Sequence, residues 1–231
     1  MDSKQFVAKL AQDNEALFKA SEMQVEAYFA SNPSKDQLVE HFVGRMVNER
    51  MNMVEISAKV ASLPASASVE EVTLLSKQAF DEAVHFRMVK EVIEHITGEE
   101  LDVEAAIAAE EAKPTAKGAT LLAKYEAETD PVALAAYQFI AEGRAERVWD
   151  KMAECIQDEY ISKAYAKIAR DEGFHSGIGR RALELLATDE VVQAKVEEIA
   201  RSMRVDLYTI SCMNTTVLPE AQKLIADAYS A

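Results

Sequence analysis

Two short strings carry the residue types and spacing that could do chemistry. Residues 81–85 read Asp81-Glu82-Ala83-Val84-His85, and residues 171–175 read Asp171-Glu172-Gly173-Phe174-His175. Each is Glu-x-x-His preceded by Asp, and together they use two of the four histidines, the others being His41 and His95. On a helix, positions i and i+3 share a face, so a carboxylate and an imidazole project towards one point. Mixed oxygen and nitrogen donors of this kind suit a hard or borderline metal ion. Taken singly, each pair also reads as a solvated Glu beside a core histidine. The repetition of the whole string, with its Asp, weighs against that reading.

The apolar context turns both pairs inward. Leu75, Ala79, Glu82, Val89 and Val92 fall along one helical stripe, and Ile168, Glu172, His175, Ala182 and Leu186 along another. An unpaired charge on a core-facing stripe costs several kcal/mol, so something must compensate it. Each motif has a further carboxylate upstream. Phe42, Met46, Glu49, Met53, Ile56 and Val60 align and place Glu49 inward, while Glu55 falls on the polar side with Asn48, Asn52 and Lys59. Ala135, Phe139, Glu142 and Trp149 mark Glu142, with Glu146 one turn further on a similar face as an additional candidate. The pattern Glu … Asp-Glu-x-x-His thus occurs twice.

The elements that must position these groups are helices. Seven Gly and five Pro in 231 residues are too few for the turns of an all-β or α/β fold. Apolar residues make up 49% of the chain, enough for a real core. Periodicity and caps predict helices over about 3–30, 35–62, 69–97, 131–156, 158–186, 189–212 and 218–229. Asn32-Pro33, Pro64, Thr97-Gly98 and Asn214-Thr215-Thr216 separate them, Ser34 and Asp158 are N-caps, and Asp130-Pro131 opens a helix. Pro114 and Gly118 break residues 99–129 into two short helices or a covering loop. Two pairs of long helices joined by one long crossover describe a ferritin-like four-helix bundle. The expected architecture is one all-α domain over 1–231: the bundle over about 35–187, an additional N-terminal helix, and C-terminal helices over about 188–231.

Charge and cysteine content narrow the class. The formal net charge is −15, which disfavours nucleic acid and anionic membranes as partners. Cys155 and Cys212 are too few for a disulfide framework or a cysteine-built metal site. The N-terminal stretch interrupts its apolar residues with charges and reads as neither signal peptide nor membrane span, so a cytoplasmic location is expected.

The paired motif resembles that of the ferritin-like diiron-carboxylate superfamily, in which one Glu from each of two helices and a Glu-x-x-His from each of two others hold two metals. The Asp before each Glu is similar to bacterial multicomponent monooxygenases and ribonucleotide reductase small subunits. The segments AYQFIAEGRAERVWDKM and YAKIARDEGFHSGIG look like the catalytic subunits of the phenylacetyl-CoA epoxidase group. The resemblance implies that Glu49 and His85 bind one iron, Glu142 and His175 the other, and that Glu82 and Glu172 bridge them. It implies that Asp81 and Asp171 orient the histidines through their other ring nitrogens. Val84 and Phe174 stand where the monooxygenase motif carries Arg, so that outer polar network is not expected. Ferritins lack the second His. Rubrerythrins add a Glu on the fourth helix; Glu146 is the counterpart here, at an i+4 offset from Glu142 rather than i+3.

The activity implied is that of an O2-activating non-haem diiron oxygenase or oxidase for a small organic substrate, by hydroxylation, epoxidation or N-oxygenation. Two Fe ions are the expected cofactor, with Mn/Fe as the alternative, and an electron-donor reductase and a homodimer are the expected partners. Two other classes remain: a ferritin- or rubrerythrin-like ferroxidase or peroxide scavenger, and a non-catalytic scaffold subunit. Gly143, Gly173 and Gly179 remove bulk near the motifs, either for a substrate pocket or kink or for close helix packing. Tyr137 and Tyr165 are candidate redox-active phenols or plain structural tyrosines.

Overall fold

A computed structural model describes residues 1–113, 124, 125, 127, 129–212 and 217–229. The fold is all-α, and no strand occurs among the described residues. Pro114, Gly118 and Asn214-Thr215-Thr216 lie outside the described residues. Two compact units emerge, Met1–Asn32 with Thr120–Ala231, and Pro33–Ala119.

In the Pro33–Ala119 unit, α2 (Lys35–Ala61) and α3 (Val69–Thr97) pack along one another, and the short α4 (Val103–Glu111) lies against α2. The first turn of α2 is closed by a capping box: Ser34 accepts from the Gln37 backbone, and the Gln37 side chain accepts from the Ser34 N–H. Gly98 ends α3 at φ 77°, a left-handed cap that a side chain would resist. Phe42, Met46 and Ile56 of α2 and Leu75, Val89 and Val92 of α3 are buried, as the stripes require. Within residues 99–113 the chain forms one short helix, α4.

The other unit consists of α1 (Ser3–Ala30), α5 (Pro131–Tyr137), α6 (Gly143–Cys155), α7 (Glu159–Leu186), α8 (Glu190–Ser211) and α9 (Pro219–Tyr229). Phe6, Leu10 and Leu17 of α1 share a core with Ile140, Leu183 of α7, Met203 of α8 and Ile225 of α9. Asp130 caps α5 by accepting from Val132 and Ala133, with Pro131 at the first helical position.

One expected helix differs. The segment read as continuous over about 131–156 contains a π-helical turn at Gln138–Glu142, between α5 and α6. That turn packs closely against α7. A Cβ on Gly179 would stand 2.4 Å from the Phe139 amide nitrogen and 2.7 Å from the Ala135 carbonyl oxygen. The two backbones therefore touch, and only glycine permits that approach. No helix among the described residues is long and apolar enough to cross a membrane.

Candidate metal centre

In the Pro33–Ala119 unit, α2 carries Glu49 and α3 carries Glu82 and His85, all three buried; Glu82 and His85 are 0% exposed. The His85 Nδ1 lies 3.5 Å from a Glu49 carboxylate oxygen and 3.9 Å from one of Glu82. Each residue offers one ligand atom, and these atoms lie within 4.8 Å of one another. Two helices thus aim three donors at one point because Glu49 sits on the apolar stripe of α2 and Glu82 and His85 are one turn apart on α3.

The other unit holds a matching triad. Glu142 is the last residue of the π turn, and Glu172 and His175 are one turn apart on α7. All three are buried, and their ligand atoms also lie within 4.8 Å of one another. The His175 Nδ1 is 3.0 Å from a Glu172 carboxylate oxygen. Both histidines therefore turn the same ring nitrogen towards the carboxylates. Two carboxylates with one neutral imidazole balance one divalent cation in charge, and the donor types suit Fe(II), Mn(II) or Zn(II). Left without a cation, two buried carboxylates this close repel one another.

The aspartates have partners of their own. Asp81 is ion-paired to Lys77 and Asp171 to Lys167, each lysine four residues earlier on the same helix. The internal repeat is thus longer than the metal motif: Lys-x-x-x-Asp-Glu-x-x-His occurs twice. The spacing was visible in the sequence and marks the i,i+4 pair directly. Tyr165 is buried with its ring 5.5 Å from that of Trp149, and Tyr137 is buried on α5.

Glu146 stands apart from these triads. It is half-buried on α6, and its carboxylate lies against α7, where a Cβ on Gly173 would come 2.7 Å from Oε1. Burial raises its pKa, with Asp150 and Glu172 adding to the rise and Arg147 opposing it. The clash would fall on the end of a flexible side chain, so Gly173→Ala should swing Glu146 aside at small cost to folding. We expect Gly173→Ala and Glu146→Gln both to leave the metal content unchanged. A matching drop in both, read by elemental analysis, would make Glu146 a ligand.

His41, also on α2, is a histidine of a different kind. Burial first, and then the nearby Arg45, push its pKa down to about 3. The native state therefore holds it neutral, whereas the unfolded chain takes up a proton below the ordinary histidine value of 6.5. The sign follows: its contribution to stability is full above that value and falls as pH drops from 6.5 towards 3. Melting temperatures measured across that window should fall less steeply in His41→Phe than in the wild type.

No family model matches the chain, and no curated relative does, so the diiron-carboxylate resemblance stands on its motif alone. Among solved structures the chain is similar to a TenA homolog from Pseudomonas syringae pv. tomato str. DC3000, with a TM-score of 0.62 and 11% identity. The match covers 90% of this chain and 89% of that one. At that identity the likeness shows the fold: this chain has a TenA-like, all-helical fold that carries two buried Glu/Glu/His triads able to hold metal.

Proposed function

We propose that the two triads hold a pair of iron ions as one centre, and that the protein is an O2-activating non-haem diiron oxygenase or oxidase acting on a small organic substrate. The observation that carries this reading is the donor set itself: four buried carboxylates and two buried imidazoles, grouped as two equivalent triads. Joining the triads into one centre rests on the doubled sequence motif and its resemblance to diiron-carboxylate proteins. Glu49 and His85 serve one metal and Glu142 and His175 the other, with Glu82 and Glu172 shared. Asp81 and Asp171 are positioning residues that hold the proton on Nε2 of each histidine, leaving Nδ1 free to ligate. Fe/Fe is favoured, and the same donors accept Mn/Fe.

Bound iron would supply the reduction of O2 and the oxidising power directed at substrate, with electrons from a separate reductase. The chain contributes the rest: a dry, low-dielectric site that excludes bulk water, and fixed carboxylates that set the open positions on each ion. A cytoplasmic location and a homodimer belong to the same reading, and light scattering checks the dimer.

The test is anaerobic loading with Fe(II) followed by O2 uptake, with and without a chemical reductant and a panel of small organic substrates. Substrate-dependent O2 consumption with an oxygenated or dehydrogenated product supports the reading. Fe(II) oxidation that ends in ferric mineral, with no organic product, would assign the protein to iron handling instead.

A further inference from the structure

A second candidate site lies wholly within the unit that contains α1, α8 and α9. A cleft of about 360 Å³ is lined by Lys9, Asp13, Glu197, Arg201, Arg204 and Tyr229, with Gln12 and two alanines completing the wall. That volume is within the range of small-molecule sites.

Arg204 is the unusual group. It is only 6% exposed, yet no carboxylate of a described residue lies within ion-pair distance of it. Its Nε donates to the Asn14 side-chain oxygen at 2.8 Å, and one terminal nitrogen donates to the Leu10 carbonyl at 3.4 Å. A guanidinium carries five N–H groups, so these two bonds leave most of its terminal edge unspent. Its plane is held over the Tyr229 ring, 5.3 Å from the centroid. That ring is itself fixed: the Tyr229 hydroxyl donates to the Asp13 carbonyl at 2.7 Å and accepts from the Leu17 N–H at 3.0 Å. Burial pushes the Arg204 pKa down, the sign of a cation that its surroundings do not fully compensate.

The neighbouring charges sharpen the point. Lys9 lies 2.8 Å from Asp13 and 3.1 Å from Glu197, so the two carboxylates of the cleft already share a cation. Arg201 is one helical turn from Arg204, lines the same cleft, and has no ion-pair partner among the described residues. Three cations thus face two carboxylates, in a chain whose net charge is −15. Two adjacent guanidiniums without carboxylates are the expected minority feature of a site that binds an anion, since Arg forks pair carboxylates in two-pronged fashion.

We propose that this cleft binds a small organic carboxylate, with the terminal edge of Arg204 as its anchor and Arg201 as the second contact at the rim. A monoanion fits better than a phosphate dianion, because Asp13 and Glu197 repel a second negative charge. The small side chains of Ala16 and Ala228 leave room for a compact apolar body beside the carboxylate.

Benzoate, acetate and inorganic phosphate, titrated into the full chain at constant ionic strength and followed by calorimetry, test the assignment. Benzoate should bind. Arg201→Ala, an exposed change that leaves the fold and the metal content unaltered, should weaken it about threefold to tenfold, and Arg204→Lys, which keeps the charge but loses the fork, about tenfold or more. No binding of benzoate or acetate by the wild type up to about 10 mM, affinity in both variants unchanged from the wild type, or tighter binding of phosphate would each overturn the proposal.

Discussion

Fe(II)-loaded protein should melt on the order of 10 °C above the same protein treated with a chelator. A ligand present at 100 times its dissociation constant stabilises by about 2.7 kcal/mol per site. In a chain of this size each kcal/mol moves the midpoint by roughly 2–4 °C, so two occupied triads account for the rise. The sign of the effect in variants is the sharper check. Glu82 is completely buried close to Glu49 and His85. Removing its charge relieves repulsion in the metal-free protein and removes a ligand from the loaded one. Glu82→Gln should therefore melt at or above the wild type after chelation, while its gain on adding Fe(II) shrinks to half or less. A variant that loses stability equally in both states would show that Glu82 is only a packing residue. Differential scanning calorimetry reads all four midpoints.

The second large effect belongs to Gly179. An added Cβ meets the Phe139 nitrogen of the π turn at 2.4 Å and the Ala135 carbonyl oxygen of α5 at 2.7 Å, and a backbone cannot step aside as a side chain can. Gly179→Ala should cost about 1–3 kcal/mol, the usual range for overpacking, and lower the midpoint by roughly 5 °C. The damage should also be directional. Glu142 ends the displaced turn, so the Glu142–Glu172–His175 triad should lose metal affinity while Glu49–Glu82–His85 keeps it. Gly177 supplies the control, because nothing lies within 4 Å of a Cβ added there. Gly177→Ala on the same helix should be neutral or stabilise by up to about 1 kcal/mol, since alanine is the better helix former. Equal losses in the two variants would remove the close approach as an explanation.

The helix ends were legible because their signals are local. Ser34 with Gln37, Asp130 with Pro131, and Gly98 after Thr97 each act within one turn, and each cap forms where its residues stand. The stripes on α2, α3 and α7 were legible for a related reason: one face is apolar and the other charged, so Glu49, Glu82, Glu172 and His175 stand out as charges on the wrong side. The segment around Glu142 is different. Every residue from Ala133 to Arg144 is buried, so the stripe that marks Glu142 has no exposed face opposite it, and the 3.6-residue period gives no sign of a π turn. The π turn there lies against a glycine some forty residues away on α7, a contact that no local pattern announces. The Arg204 cleft was hidden for the same reason. Its walls come from α1, α8 and α9, and an arginine lacking a carboxylate looks like any surface arginine until the chain is folded. The Lys77–Asp81 and Lys167–Asp171 pairs are the opposite case, since their spacing is written in the sequence as plainly as the metal motif beside them.

The most direct measurement is the iron content and magnetic state of protein loaded anaerobically and then oxidised. A paired centre predicts two iron ions per chain that are spin-coupled and lack the EPR signal of isolated ferric iron. Replacing one histidine, as in His85→Ala or His175→Ala, should then leave at most one firmly bound ion, with that mononuclear signal appearing. Wild-type protein that binds no iron, or binds two ions that remain magnetically independent, would contradict a shared diiron centre.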